Sequence, residues 1–233
     1  MDFCGFRFIF PAVPAEARIA LAAKASACYN GRQDAYGRQA MTIVILAGGE
    51  SRRMGRDKLR LPLEGEALLE RALRRWEEVF PRVLVSVAGP DRYPWLGDRR
   101  VMDLRPGQGP MAGLEAGLLR AGEPVFLTAA DMPFSSPAAA SKMLSLCPGE
   151  AEACVLTDGE GRWEPLFGLY KPELLPRIRE LLDSGRRSMG ALLDRSRVKI
   201  LTPSDLGEVW EDRLLLNLNE PGDYEKLRLE LGE

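Results

Sequence analysis

An apolar run, Ile43-Val44-Ile45, leads directly into residues 46–58, Leu-Ala-Gly-Gly-Glu-Ser-Arg-Arg-Met-Gly-Arg-Asp-Lys, and a segment of helical periodicity opens at about Leu68. A buried strand that empties into a glycine-rich turn before a helix is suited to holding phosphates. Gly48 and Gly49 carry no Cβ, so the backbone there can approach a ligand closely. Successive N–H groups in such a turn converge into an anion-binding nest. Lys58 and the Arg52-Arg53 pair supply the charge that a triphosphate needs. The stretch is not a P-loop, because Gly55 is followed by Arg56 and Asp57 instead of Lys-Ser/Thr. It is not a G-x-G-x-x-G dinucleotide fingerprint either, since Glu50 stands where that spacing wants a glycine.

The chain that follows alternates strand, loop and helix. Residues 61–65 predict a hairpin or turn that returns the chain to the sheet. Leu69, Ala72, Leu73, Trp76 and Val79 recur at helical spacing over residues 68–80, with Pro81 as the stop. Residues 83–87 and 125–129 read as buried parallel strands, and residues 101–103 as a shorter one. Residues 107–113, Gly-Gln-Gly-Pro-Met-Ala-Gly, open a helix to about Ala121. Strands are further expected at residues 153–157, 163–170, 198–201 and 214–218. Helices are expected at 172–183, from a Ser188 cap to Leu193, and from Pro221 onward. The pattern predicts an α/β fold, a single-domain, doubly wound, mostly parallel sheet of Rossmann-like kind with helices on both faces. In such sheets ligands gather beyond the carboxyl ends of the strands. The Gly48 loop, Asp103 and Asp131 all fall there in this reading.

Composition narrows the chemistry. The chain has 233 residues, enough for one good-sized domain. Thirty-two basic against 34 acidic residues leave a net charge of −2, which argues against nucleic acid as the main partner. There is no histidine, so any acid–base or electrostatic work falls to carboxylates, Lys and Arg. Cys4, Cys28, Cys147 and Cys154 show neither C-x-x-C pairing nor zinc spacing and read as reduced thiols of a cytoplasmic protein. Residues 3–13 are apolar but too short to span a bilayer. Asp2 replaces the basic start of a signal peptide. Residues 1–40 are therefore expected to be an extension or a mis-assigned start, with Met41 opening the functional domain, residues 41–233.

The loop resembles the nucleotidyltransferase signature L-A-G-G-x-S-x-R-M-G-x-D-K, which residues 46–58 match at every fixed position. The Gly-Gly pair and the Asp-Lys ending are most similar to the molybdenum cofactor guanylyltransferases, the MobA family. The likeness spans about residues 42 to 225 and is most specific in the first loop. It implies an enzyme that transfers GMP from GTP to the phosphate of molybdopterin, with release of pyrophosphate and with Mg²⁺ as cofactor. Partners implied are GTP, the molybdopterin cofactor, and the proteins that make the cofactor or accept it; neither nucleic acid nor membrane is among them. A cytidylyltransferase for the same cofactor and the sugar-phosphate nucleotidyltransferases share the loop and the aspartates. A non-catalytic carrier of nucleotide or cofactor would need the loop but no metal site. All three stand as alternatives at this point.

Residue by residue, Asp131 of Asp-Met-Pro has two readings. It could cap a helix starting near Ser136, or act as the Mg²⁺ ligand that the resemblance implies for this aspartate. Lys58, Arg53 and Asp131 are then the catalytic candidates, the two cations offsetting charge on the leaving pyrophosphate. Leu46, Ala47, Gly48 and Gly49 would meet phosphates and base through their backbone N–H groups, with Lys58 and Asp131 counted among the nucleotide contacts. The resemblance places Asp103 against the nucleotide and Gly113, in Gly-Pro-Met-Ala-Gly, near base and ribose. Ser86, counted among the nucleotide contacts, falls where an asparagine is common. Asn217-Leu-Asn-Glu-Pro221 is similar to the family's N-x-N-T-P segment, with Glu220 in place of threonine. There Asn219 could cap the last helix or help hold the metal opposite Asp131. Residues 163–166, Trp-Glu-Pro-Leu, match the segment thought to face the pterin, and Arg186-Arg187 could meet its phosphate.

Overall fold

The computed structural model describes residues 41–48 and 57–232. Gly49 and Arg53, the extension expected over residues 1–40, and Cys4 and Cys28 lie outside them. Thr42–Leu46 (β1) runs down the centre of a seven-stranded sheet. It pairs in parallel with Arg82–Val87 (β4) on one side and Val125–Ala129 (β6) on the other, Leu46 lying opposite Ser86 and Ala129. Arg100–Met102 (β5) adds a fourth parallel strand outside β4. On the far side Trp163–Tyr170 (β8) runs antiparallel between β6 and Ala153–Thr157 (β7), and Val198–Leu201 (β9) pairs in parallel with β7. The order is β5-β4-β1-β6-β8-β7-β9. The sheet is therefore mixed and mostly parallel, as the alternating pattern predicts, with β8 reversing the chain in the second half.

A strand flanked on both edges and covered on both faces is apolar along nearly its whole length. β1 shows why. Ile43 and Ile45 enter one core with Trp76, Phe126 and Phe167, while Val44 enters the other with Leu114, Leu118 and Ile178. The first core is capped by the helices Leu68–Glu77 (α1) and Pro137–Leu146 (α3), and the second by Pro110–Ala121 (α2), Leu175–Asp183 (α4) and Met189–Leu193 (α5). Trp76 is fully buried between Phe80, Phe126 and Phe167, with ring centroids 5.7–6.4 Å apart. Short Pro203–Leu206 (α6) and the final Pro221–Glu230 (α7) complete the chain.

Three local expectations are corrected. The hairpin Pro62–Leu63 (β2) and Glu66–Ala67 (β3) does not rejoin the main sheet; it forms a two-stranded sheet of its own, which Leu63 and Leu68 seal against Leu218, Tyr224 and Leu227. Helix α1 ends at Glu77, short of Pro81, and its end tightens into turns, Val79 N–H and Phe80 N–H both donating to Trp76 O at 3.2 and 2.9 Å. Residues 214–218 form no strand. Their backbone groups are used locally and across the cleft: Leu214 N–H to Glu211 O, Leu216 N–H to Arg213 O, and Leu218 N–H to Asp131 O at 2.9 Å.

Candidate nucleotide and metal site

The carboxyl ends of β1, β4 and β6 open into a cavity of about 260 Å³. Leu46 and Gly48 line it from the end of β1, Ser86 from β4, Asp103 from just past β5, and Ala129 and Asp131 from the end of β6. Gly107, Gly109, Pro110 and Gly113 close it from the loop into α2, and Leu166 closes it from β8. This is the crevice expected of a parallel sheet. Six of the residues singled out from the sequence share it: Leu46, Gly48, Ser86, Asp103, Gly113 and Asp131.

The first turn of α2 points into the cavity, and Gly109 offers no side-chain cap to its N–H groups. Such a helix end favours an anion. Close packing sets the depth. A Cβ on Gly113 would stand 2.5 Å from Leu46 Cδ2 and 2.5 Å from Ser86 Oγ, so any larger residue would fill the gap between β1 and β4. A Cβ on Gly48 would come within 3.1 Å of Asp103 Oδ2. Ala47 behaves differently from expectation. It is buried, does not line the cavity, and donates its N–H to Ser86 O at 2.8 Å. That group extends the sheet ladder by one step and is not free for a phosphate.

Ser86 is itself buried, and its Oγ donates to Asp103 Oδ1 at 2.5 Å. Asp103 N–H donates to Val87 O at 2.9 Å, so both backbone and side chain are held. Burial raises the Asp103 carboxyl above its ordinary value of 3.8, and the Ser86 hydrogen bond opposes part of that rise. A raised carboxyl costs stability when ionised. The cost begins as pH rises through 3.8, where the unfolded chain loses its proton, and is complete above the folded-state value. Asp103→Asn, which removes that charge and keeps an acceptor for Ser86, is expected to melt higher than wild type at pH 7. The gap should close as the pH falls below 3.8; thermal melts across pH 3–8 would measure it, and a gap independent of pH would refute the assignment.

Across the cavity, Lys58 and Asp131 meet although 73 residues separate them. Lys58 follows Asp57 at the start of a single 3₁₀ turn, Lys58–Arg60. Its Nζ forms a short ion pair with Asp131 Oδ2 and donates to Leu218 O at 3.0 Å. Both side chains are mostly buried, 14% and 16% exposed. Asp131 does not cap the following helix; Ser136 does, accepting from Ala139 N–H at 3.4 Å. Arg75 Nη1 donates to Pro133 O at 2.6 Å and so fixes the turn beyond Asp131. Asp131 Oδ1 is buried with no hydrogen-bond partner among the described residues. A buried carboxylate oxygen left unpaired is costly, and an oxygen-seeking cation is a fitting partner. Among the described residues no cluster of three or more His, Cys, Asp or Glu stands together. The donor set thus fits Mg²⁺, which commonly takes one carboxylate with water and substrate phosphates.

Asn219 follows Leu218, whose N–H donates to Asp131 O at 2.9 Å. Asn219 is exposed, its N–H donates to Asp223 Oδ2 at 2.9 Å, and Glu220, not Asn219, is the cap of α7 in a reciprocal box with Asp223. Asn217 Oδ1 is buried with no hydrogen-bond partner among the described residues. Sequence reasoning also missed the tether of Asp57 by Tyr93, described below, whose members are far apart in the chain. Arg187 lies at the cavity's edge, with Nη1 3.4 Å from Gly107 O, while Arg186 is simply exposed. Glu164 is raised by burial, with Asp131's charge adding to the rise, and its carboxylate accepts Leu166 N–H at 2.8 Å.

The MobA-like NTP transferase domain matches residues 43–199. This chain belongs to the MobA-like NTP transferase family. Among curated members, the probable molybdenum cofactor guanylyltransferase of Carboxydothermus hydrogenoformans is 35% identical over 191 residues, 81% of this chain and 95% of that protein. That of Mycobacterium avium is 37% identical over 191 residues, 79% of this chain and 93% of its own length. The crystal structure of molybdopterin-guanine dinucleotide biosynthesis protein A from Archaeoglobus fulgidus superposes with a TM-score of 0.69 at 24% identity, covering 82% of this chain and 99% of that one. Like that structure, this family member is built on a mostly parallel sheet with helices on both faces. No helix among the described residues is long and apolar enough to cross a membrane.

Proposed function

We propose that this chain is a molybdenum cofactor guanylyltransferase, transferring GMP from GTP to the terminal phosphate of molybdopterin. The relatives carry that name over nearly their whole length. The observation that carries the reading is Asp131, which lines the cavity beyond the end of β6, with Lys58 on one carboxylate oxygen and the other buried with no hydrogen-bond partner among the described residues. A phosphate oxygen of molybdopterin would form the new bond to the α-phosphorus of GTP. The bond from that phosphorus to the bridging oxygen breaks, and the electron pair leaves with pyrophosphate. No protein nucleophile is needed, only in-line placement and charge neutralisation.

Residues 41–233 would form the transferase domain. Lys58 and Arg53 would offset the charge that gathers on pyrophosphate, and the N-terminus of α2 adds a fixed positive field to the nucleotide pocket. Ser86 holds Asp103 aimed at ribose and base, while Gly113 leaves room for them. Asp131 would hold Mg²⁺, which when bound offsets charge on phosphate oxygens. Arg187, beside the Gly107 loop, is the better placed of the arginine pair to meet the pterin's phosphate. The enzyme would work in the cytoplasm and pass its product to enzymes that use the dinucleotide cofactor.

The test is a competition. Purified full-length chain would be mixed with Mg²⁺, metal-loaded molybdopterin and equal GTP, CTP, ATP and UTP, and the dinucleotide product identified by mass. A guanine dinucleotide that disappears when Mg²⁺ is chelated is the expected result. A cytosine product would overturn the guanylyl assignment and move the chain to the cytidylyl class. No product from any nucleotide would overturn the acceptor.

A further inference from the structure

Tyr93 lies outside the cavity, between β4 and β5, yet it is held in an unusual way. Among the described residues only Glu64 and Tyr93 adopt positive φ without being glycine, Tyr93 at φ 47°, ψ 58°. Left-handed backbone is unfavourable for a bulky side chain and persists where the surroundings over-determine it. Here the ring is buried at 2% exposure and belongs to the first core, as do Ala47, Leu59 and Val87. Its Oη donates toward both carboxylate oxygens of Asp57, at 2.8 and 2.9 Å. Arg92 Nη2 donates to that same Oη at 3.0 Å and stands 3.4 Å from Asp57 Oδ1.

Asp57 is the residue immediately before Lys58. Its carboxylate also accepts Leu59 N–H at 3.2 Å, which closes the 3₁₀ turn that carries Lys58. A lysine ammonium sits on four rotatable bonds and is placed accurately only if its Cα is fixed. The Lys58 ammonium is fixed at its far end by Asp131 and Leu218 O. The near end is fixed by Asp57, and Asp57 by Tyr93. Burial and the adjacent Asp57 carboxylate push the Tyr93 phenol well up, so it stays a hydrogen-bond donor at neutral pH.

We infer that Tyr93 is a positioning residue for Lys58: its hydroxyl, braced by Arg92 and by a left-handed backbone, clamps Asp57 and so sets where the Lys58 ammonium meets the phosphates. The inference rests on the proposed role of Lys58. It makes Tyr93 and Asp57 part of the machinery without either touching substrate.

The test is a double-mutant cycle on the full chain, comparing wild type, Tyr93→Phe, Lys58→Ala and the double variant, with Asp57→Asn as a second way of opening the clamp. Tyr93→Phe is expected to lower kcat about tenfold with Lys58 present, from a sub-ångström misplacement. It should change kcat less than about twofold when Lys58 is already gone, because nothing remains to be positioned. Equal losses in both backgrounds would make Tyr93 merely structural and overturn the inference; so would no loss in either. Should Tyr93→Phe fold poorly, Asp57→Asn is judged by the same two criteria. If wild type forms no guanine dinucleotide, the proposed function fails on its own, and the cycle is then read in the Kd for Mg²⁺-pyrophosphate. Affinity for that probe that ignores Tyr93→Phe, or that falls equally without Lys58, overturns the inference.

Discussion

Replacing Asp131 with asparagine is expected to lower kcat by on the order of 10²-fold or more, the loss seen when one transition-state stabiliser is removed. The substitution keeps shape and removes charge. Its side chain is only 16% exposed, so little water is present to take over from the carboxylate. The asparagine would still offer one oxygen to a cation, but a neutral amide binds Mg²⁺ far more weakly than a carboxylate does. The Mg²⁺ concentration giving half-maximal rate should therefore rise along with the fall in kcat. The ion pair with Lys58 is lost at the same time, leaving a mostly buried ammonium with Leu218 O as a remaining partner. Some loss of melting temperature should accompany the loss of rate, since removing one charge of a mostly buried ion pair is costly. Steady-state kinetics across a Mg²⁺ titration would decide the matter. A variant with near wild-type kcat and unchanged Mg²⁺ dependence would remove Asp131 from the mechanism.

Lys58→Ala is expected to cost a comparable factor, on the order of 10²-fold in kcat at saturating GTP. The loss should appear in kcat more than in KM, because charge on pyrophosphate grows in the transition state and an interaction made mainly there moves kcat. Lys58→Arg should recover only part of the rate. A planar guanidinium is bulkier than an ammonium and cannot keep both the Asp131 and Leu218 contacts in the same place. Near-normal turnover of Lys58→Ala at saturating GTP would sink the assignment.

The main elements were legible because each is specified by nearby residues. β1, β4 and β6 are short apolar runs, and apolar runs that end in glycine-rich or acidic turns fit only a sheet buried on both faces. Helices α1 and α4 carry apolar residues at helical spacing, and α2 begins where Gly109-Pro110 leaves no other continuation. The failures were at residues whose backbone finds partners far away. Leu214 to Leu218 has the composition of a strand, but Asp131 takes its last N–H and Lys58 its last carbonyl, so no sheet edge was available. Asn219 reads as the cap of the last helix, but Glu220, one residue on and directly before Pro221, takes the position.

What this chain's sequence determined by itself was the succession of elements, the family, and six residues that end up around one cavity. Local chemistry suffices for these, since side-chain period and turn residues act within a few positions of each other. The tertiary structure alone decided the direction of β8, the meeting of Lys58 with Asp131, the occupation of Ala47's N–H by Ser86, and the tether from Tyr93 to Asp57. Each joins groups 36 or more residues apart in the cases of Lys58–Asp131 and Tyr93–Asp57. Pairings at that separation depend on how the layers pack, and no local pattern encodes a partner that only the folded sheet brings within hydrogen-bond reach.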